Sequence, residues 1–185
     1  MNCSVVADFE PMLQRGLTLH IMRKILVLFL PLFCFVHICC QESLTQTKGE
    51  LKLVVFKIAD GDSFEGRAGT VIYRIRLYGI DAPERGMDFY RKSKDRLGQL
   101  CADGPLLIKL RNKDGFGRWV ADAFTASGVH INYRMVEEGL AWHFTKYSND
   151  PKLSDLEKQA RKEGRELWSI PNPTPPWSYR KENRR

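Results

Sequence analysis

Cysteine is almost missing from most of this chain. Of five cysteines in 185 residues, Cys3, Cys34, Cys39 and Cys40 precede residue 41, and Cys101 stands alone in the remainder. A single cysteine cannot close an internal disulfide, so the folded part must rest on a packed core. No Cys/His spacing of a zinc site is present, and Cys101 reads as a small buried hydrophobe on a helix. Internal repeats are absent, which excludes solenoids and propellers. The apolar run at residues 25–40 has sixteen residues, short of the about 20 that a spanning helix needs, and Pro31 and His37 weaken it further. The basic residues do not gather on one amphipathic helix, which argues against a membrane-surface protein.

What is present is positive charge. The formal net charge is +7 and the pI near 9.2, which favours an anionic partner. Met22-Arg23-Lys24 ahead of the apolar run has the layout of an export signal, with Met22 as the candidate start. Residues 1–40 are therefore read as an N-terminal extension whose signal segment touches the membrane in passing. The expected localisation is exported, secreted or periplasmic, with an uncleaved membrane anchor as the alternative. Residues 41–50 are a polar linker. Taking away residues 1–40 removes two acids and three bases and leaves +6, so the basic character belongs to the domain itself. Residues 51–170 are long enough for one self-supporting core. Residues 171–185 form a Pro-rich basic tail, expected to be extended and partly packed through Trp177.

The densest chemistry lies in residues 60–84, which hold Asp60, Asp62, Asp81 and Glu84 around a strand carrying Arg74 and Arg76. Alternation puts Val71, Tyr73, Ile75 and Leu77 on one face and Ile72, Arg74, Arg76 and Tyr78 on the other. Two arginines on one strand face are not needed for stability, so one of them has an anion to hold. Asp60-Gly61-Asp62 and Asp81-Ala82-Pro83-Glu84 read as turns, placing Asp62, Asp81 and Glu84 at one end of a hairpin. The pattern is that of a metal-and-phosphate site.

Further strands are expected at residues 51–58, 63–67, 106–110 and 118–125, and helices at 87–101, 131–138 and 153–163. Gly139 and Gly164 act as stops. The basic face of the first helix, with Arg91, Lys92, Lys94 and Arg96, reads as solvated. Arg74 reads as structural or peripheral, His130 and His143 as non-catalytic, and Trp142 as core. Five short strands with inserted helices point to a small closed barrel of α+β class, a five-stranded OB-fold β-barrel with about three helices.

The segments DGDSF, YRIRLYGIDAPE, DGFGRWVADAF, INYRMVEEGLAW and GRELW occur in the order found in the staphylococcal nuclease (thermonuclease) family, which this chain resembles from about residue 53 to residue 168 and, loosely, into the PPWSYRK tail. The resemblance implies a five-stranded OB barrel with three helices that hydrolyses DNA and RNA using Ca2+, cutting the 5′ P–O bond and leaving 3′-phosphate ends. By the same resemblance Asp62, Asp81 and the backbone carbonyl of Ala82 match the metal ligands, and Asp60 matches an acid that contacts the metal's waters. Glu84 matches the general base. Arg76 and Arg118 match the phosphate-binding arginines, and Tyr147 a nucleotide-stacking tyrosine. Two departures bear on nucleotide preference: MDFYRKS follows Glu84, and Gly115 stands where a lysine is common. DNA and RNA are the expected partners, with no obligate protein partner and a monomeric state.

A phosphodiester repels hydroxide, so its hydrolysis needs a cation, a base and donors for the phosphate oxygens. Ca2+ accepts oxygen ligands and acts as a Lewis acid. A base supplies roughly 10²–10⁴-fold, so charge stabilisation by arginine forks must carry much of the rest. The reading from another class is a non-catalytic OB module that binds single strands through a basic groove and aromatic stacking. The joint presence of Asp62, Asp81, Glu84, Arg76 and Arg118 argues against it.

Overall fold

The computed structural model of the chain describes residues 50–183; the apolar run and the residues before 50 lie outside them. Five strands close into a barrel in the order β1-β2-β3-β6-β5. They are β1 (Glu50–Ile58), β2 (Ser63–Ala68), β3 (Val71–Leu77), β5 (Leu106–Lys113) and β6 (Trp119–Phe124). A separate two-stranded sheet joins β4 (Ile80–Asp81) to β7 (Trp142–His143).

The alternation expected along β3 has a physical basis here. Ile75 and Leu77 point into the barrel and are fully buried, while Val71 and Ile72 stand exposed at the hairpin tip. Leu53, Phe64, Leu106, Ile108, Ala121 and Ala123 fill the same interior. β3 pairs with β2 antiparallel and with β6 parallel, Arg76 lying opposite Val120. The barrel closes where β1 pairs with β5, so among the described residues the barrel itself has no edge strand.

Four helices surround the barrel among the described residues: α1 (Tyr90–Ala102), α2 (Ile131–Glu137), α3 (Pro151–Lys162) and α4 (Pro176–Glu182), with a 3₁₀ turn at Glu166–Ser169. Leu97, Met135, Val136, Leu153 and Leu156 join the core from these helices. Cys101 is free and buried on α1, and burial pushes its thiol up to about 12. Trp142 is in the core. Gly139, at φ +72, stops α2. The buried Asn132 of α2 ties the elements together: its side chain accepts from Ala123 N–H and donates to the carbonyls of Tyr78 and Ala121.

Two segments differ from expectation. The chain after Asp81 does not turn at once; residues 82–84 are irregular, and the turn follows, Met87 N–H donating to the Glu84 carbonyl. The tail expected to be extended forms α4. Pro176 starts that helix rather than preventing it, because its fixed φ suits the first helical position and its missing N–H has no partner to lose.

Candidate active site

Three segments meet at one end of the barrel. The loop between β1 and β2 carries Asp60 and Asp62, β3 ends in Arg76 and Leu77, and β4 leads into Ala82 and Glu84. The first loop is held by its own acid: the Asp60 carboxylate accepts from the Asp62 N–H at 3.1 Å and the Ser63 hydroxyl at 2.6 Å. Gly61 is needed there, because a Cβ would sit 2.8 Å from the Ala82 Cβ and collide with the Ser93 hydroxyl of α1. Asp62 then crosses to the third segment, its Oδ2 accepting from the Ala82 N–H at 2.6 Å.

Arg76 lies between the acids, with its side chain 13% exposed. Its Nη2 donates to Asp81 Oδ1 at 2.8 Å, and its Nη1 forms an ion pair with Asp62. Burial pushes the Asp62 carboxyl well above its ordinary value; Arg76 opposes this, and the charges of Asp60 and Asp81 add to it. Asp60 moves the other way. Burial disfavours its charge, but the bonds from Ser63 and Asp62 and the field of Arg76 outweigh that cost and hold it below the ordinary range. Burial also works against the Arg76 charge, yet Asp62, Asp81 and Asp60 raise its pKa. The strand arginine expected to hold an anion thus holds two protein carboxylates.

Asp62, Asp81 and Ala82 are buried together, with the half-buried Arg76 and Asp60 beside them, and Glu84 stands at the rim with its side chain 37% exposed. Arg118 is not joined to them by any hydrogen bond or ion pair among the described residues. Its Nε donates to Asp114 at 2.8 Å within its own turn, where Asp114 also accepts from the N–H groups of Phe116 and Arg118. The register places Arg118 just before Trp119, which pairs with Ile75 on β3. Arg74 donates to the Phe116 carbonyl and so braces that same turn.

Tyr147 is 63% exposed and lines an open cavity of about 620 Å³ with Tyr78, Arg111 and Asp150. The Arg111 guanidinium stacks 3.6 Å from the Tyr78 ring centroid. His143 is buried beside the Ser154 hydroxyl, and His130 caps α2 and stacks on Tyr133. The basic face of α1 is partly paired: Arg96 forks onto Glu138, and Lys92 pairs with Glu166.

One residue at the site was not foreseen. Arg180 of α4 donates through Nη1 to Glu84 Oε1 at 2.6 Å and through Nη2 to Asp81 Oδ2 at 2.7 Å. Its signal in the sequence was the run Pro-Pro-Trp-Ser-Tyr-Arg-Lys at 175–181, which reads as tail until the helix is seen.

The donor set fits a hard divalent cation. Four carboxylates (Asp60, Asp62, Asp81, Glu84) face two guanidiniums (Arg76, Arg180), which leaves two formal negative charges, and all the donors are oxygens. A carboxylate buried as Asp62 is gains from added positive charge. Among the described residues, no three acidic, histidine or cysteine side chains are drawn together in metal-holding geometry; the arginines take the carboxylate oxygens instead.

Comparison with known proteins bears on this arrangement. A family model described as "Staphylococcal nuclease homologue" matches residues 74–170. An "Uncharacterized endonuclease" of Escherichia coli O157:H7 is 33% identical over 159 residues, covering 86% of this chain and 98% of that protein. A "Probable staphylococcal-like nuclease CAN1" of Oryza sativa subsp. japonica is 38% identical over 112 residues, 60% of this chain and 34% of that protein. The "Staphylococcal-like nuclease CAN1" of Arabidopsis thaliana is 35% identical over 112 residues, again 60% of this chain and 34% of that protein.

Proposed function

Because the chain belongs to the family of staphylococcal nuclease homologues, we propose that it is a nuclease that hydrolyses phosphodiester bonds of DNA and RNA with little sequence preference, using Ca2+. The observation that carries this reading is the meeting of Asp62, Asp81, Glu84 and Arg76 at one end of the barrel.

Asp62, Asp81 and the Ala82 carbonyl would hold the ion, with Asp60 reaching it through water. Bound there, Ca2+ supplies Lewis-acid polarisation of a phosphoryl oxygen. The remaining work falls to the chain. Glu84, at the rim and open to solvent, accepts the proton of the attacking water on its carboxylate. Arg76 and Arg118 donate to phosphate oxygens as charge builds on them, Arg118 exchanging Asp114 for the substrate. Cleavage at the 5′ P–O bond leaves a 3′-phosphate. Tyr147 offers an exposed ring on which a base can stack. Contacts of this kind go to phosphate and ring faces rather than base edges, so sequence preference is low. Export is part of the same proposal, supported by Met22-Arg23-Lys24 and the apolar run at 25–40; appearance of the chain outside producing cells would test it.

The test is digestion of plasmid DNA and total RNA by the purified chain with Ca2+ and with a chelator. Calcium-dependent cleavage of both is expected. Binding of single strands without cleavage under any divalent ion would instead leave a non-catalytic OB module.

A further inference from the structure

We propose that Arg180 of α4 is a positioning residue of this site, holding Glu84 against Asp81 and sharing Asp81 with the divalent cation. The proposal rests on the nuclease reading for the role of Glu84. It goes beyond the family match, which ends at residue 170.

Two contacts fix α4 over the rim. Trp177 stacks on Phe144 with ring centroids 5.2 Å apart and planes 1° from parallel. Tyr179 donates its hydroxyl to the Arg85 carbonyl at 3.4 Å. Gly86, at φ +97, leaves room for that hydroxyl, which would lie 2.8 Å from a Cβ at this position. Trp177 and Arg180 are three residues apart and share one side of the helix, so docking the ring delivers the guanidinium.

The fork then spans two carboxylates. Nη1 donates to Glu84 Oε1 at 2.6 Å and Asp81 Oδ1 at 3.2 Å, and Nη2 to Asp81 Oδ2 at 2.7 Å. Partial burial works against the Arg180 charge, but these two acids outweigh it and raise its pKa. Glu84 sits on an irregular segment, and its carboxylate has no other side-chain partner among the described residues. Without Arg180 its rotamers would spread, whereas a base must lie within hydrogen-bond reach of its water. Asp81 is 1% exposed, and Arg76 and Arg180 occupy its oxygens. Arg76 is only 13% exposed, whereas Arg180 is 38% exposed and is the partner that can give way. A cation approaching Asp81 must draw on an oxygen that Arg180 holds. Removing Arg180 should therefore tighten cation binding while slowing turnover, two shifts of opposite sign that a merely structural strap does not produce.

The test compares the full chain with Arg180→Ala, Arg180→Lys and Trp177→Ala. Ca2+ binding without substrate is measured by calorimetry, single-stranded DNA cleavage at saturating Ca2+ by steady-state kinetics, and folding by thermal melts. Arg180→Ala is expected to melt near the wild type and bind Ca2+ several-fold more tightly. Its kcat should fall by up to about 100-fold, the scale of a slightly misplaced catalytic group, with KM little changed. Added methylguanidinium should restore part of that rate. Arg180→Lys keeps the charge without the fork, so its Ca2+ affinity should stay near the wild type while its kcat stays low. Trp177→Ala, which loosens α4 but keeps the arginine, should shift both quantities in the directions of Arg180→Ala. Unchanged kcat and Ca2+ affinity in Arg180→Ala would overturn the proposal, as would joint loss of affinity, rate and melting temperature in all three variants. If the wild type cleaves nothing while Arg180→Ala still tightens Ca2+ binding, the nuclease reading falls and the sharing of Asp81 stands.

Discussion

Replacing Arg76 by methionine tests the electrostatic centre of the site without reference to catalysis. The side chain is 13% exposed and faces Asp62 and Asp81, themselves 7% and 1% exposed. Methionine fills similar space but leaves Asp62 facing Asp60 and Asp81 with no guanidinium to oppose them, so the carboxylate bears the full cost of burial or takes up a proton. Asp81 keeps Arg180. Losing one partner of a buried pair costs about 3–5 kcal/mol, because the other charge stays desolvated. The assay is urea unfolding followed by tryptophan fluorescence, run in chelator so that no ion substitutes for the guanidinium. Adding Asp62→Asn to the methionine variant should recover a large part of the loss, since the stranded charge is then gone. A loss below about 1 kcal/mol, the range of exposed pairs, would mean that Arg76 does not hold these acids in solution.

Arg118→Lys should leave the melting temperature unchanged, because Arg118 is 29% exposed and bonds only within its own turn. Its kcat should fall by about 10²-fold or more, as for loss of one charge-stabilising donor; near-normal turnover would remove Arg118 from the chemistry. Asp122 gives a pH test. Burial opposes its ionisation, but the hydrogen bond from Arg111 and the His130 ring 3.6 Å away outweigh it and hold the carboxyl below its ordinary value of 3.8. A depressed folded value stabilises above the unfolded value and is lost as pH falls through the folded one. The stability difference between wild type and Asp122→Asn should therefore be full at neutral pH and close below pH 3.8; a gap constant through the acid range would refute the pairing.

The barrel was legible because each strand carries its own record of inside and outside. Ile75 and Leu77 alternate with Arg74 and Arg76, and only a half-buried strand accounts for that pattern. The β4–β7 pair was not legible, since two residues are too few to show a period. Its stability comes from tertiary neighbours instead, with Asp81 opposite Trp142. The packing of the tail through Trp177 is as expected, but its extended reading failed at residues 176–182 for a different reason. Proline restricts φ to a value shared by extended chain and by the first turn of a helix, and the docking of Trp177 on Phe144 lies 33 residues away in sequence. Asn132 looks like any polar helix residue, and nothing in the chain announces that it is fully buried with three backbone partners.

At the site, the acids and Arg76 could be read because they lie within 25 residues. Arg180 could not, being 96 residues beyond Glu84. Nor does the sequence announce that Asp114 would engage Arg118 through both backbone and side chain.

The most direct measurement is the single-turnover cleavage rate of Glu84→Gln against wild type at saturating Ca2+, with substrate affinity measured in parallel. Glutamine keeps the shape and an oxygen for Arg180 but cannot take a proton at neutral pH. The account predicts retained binding with cleavage slower by about 10²–10⁴-fold, the contribution of a general base. Cleavage by Glu84→Gln at the wild-type rate would contradict it and place the base elsewhere.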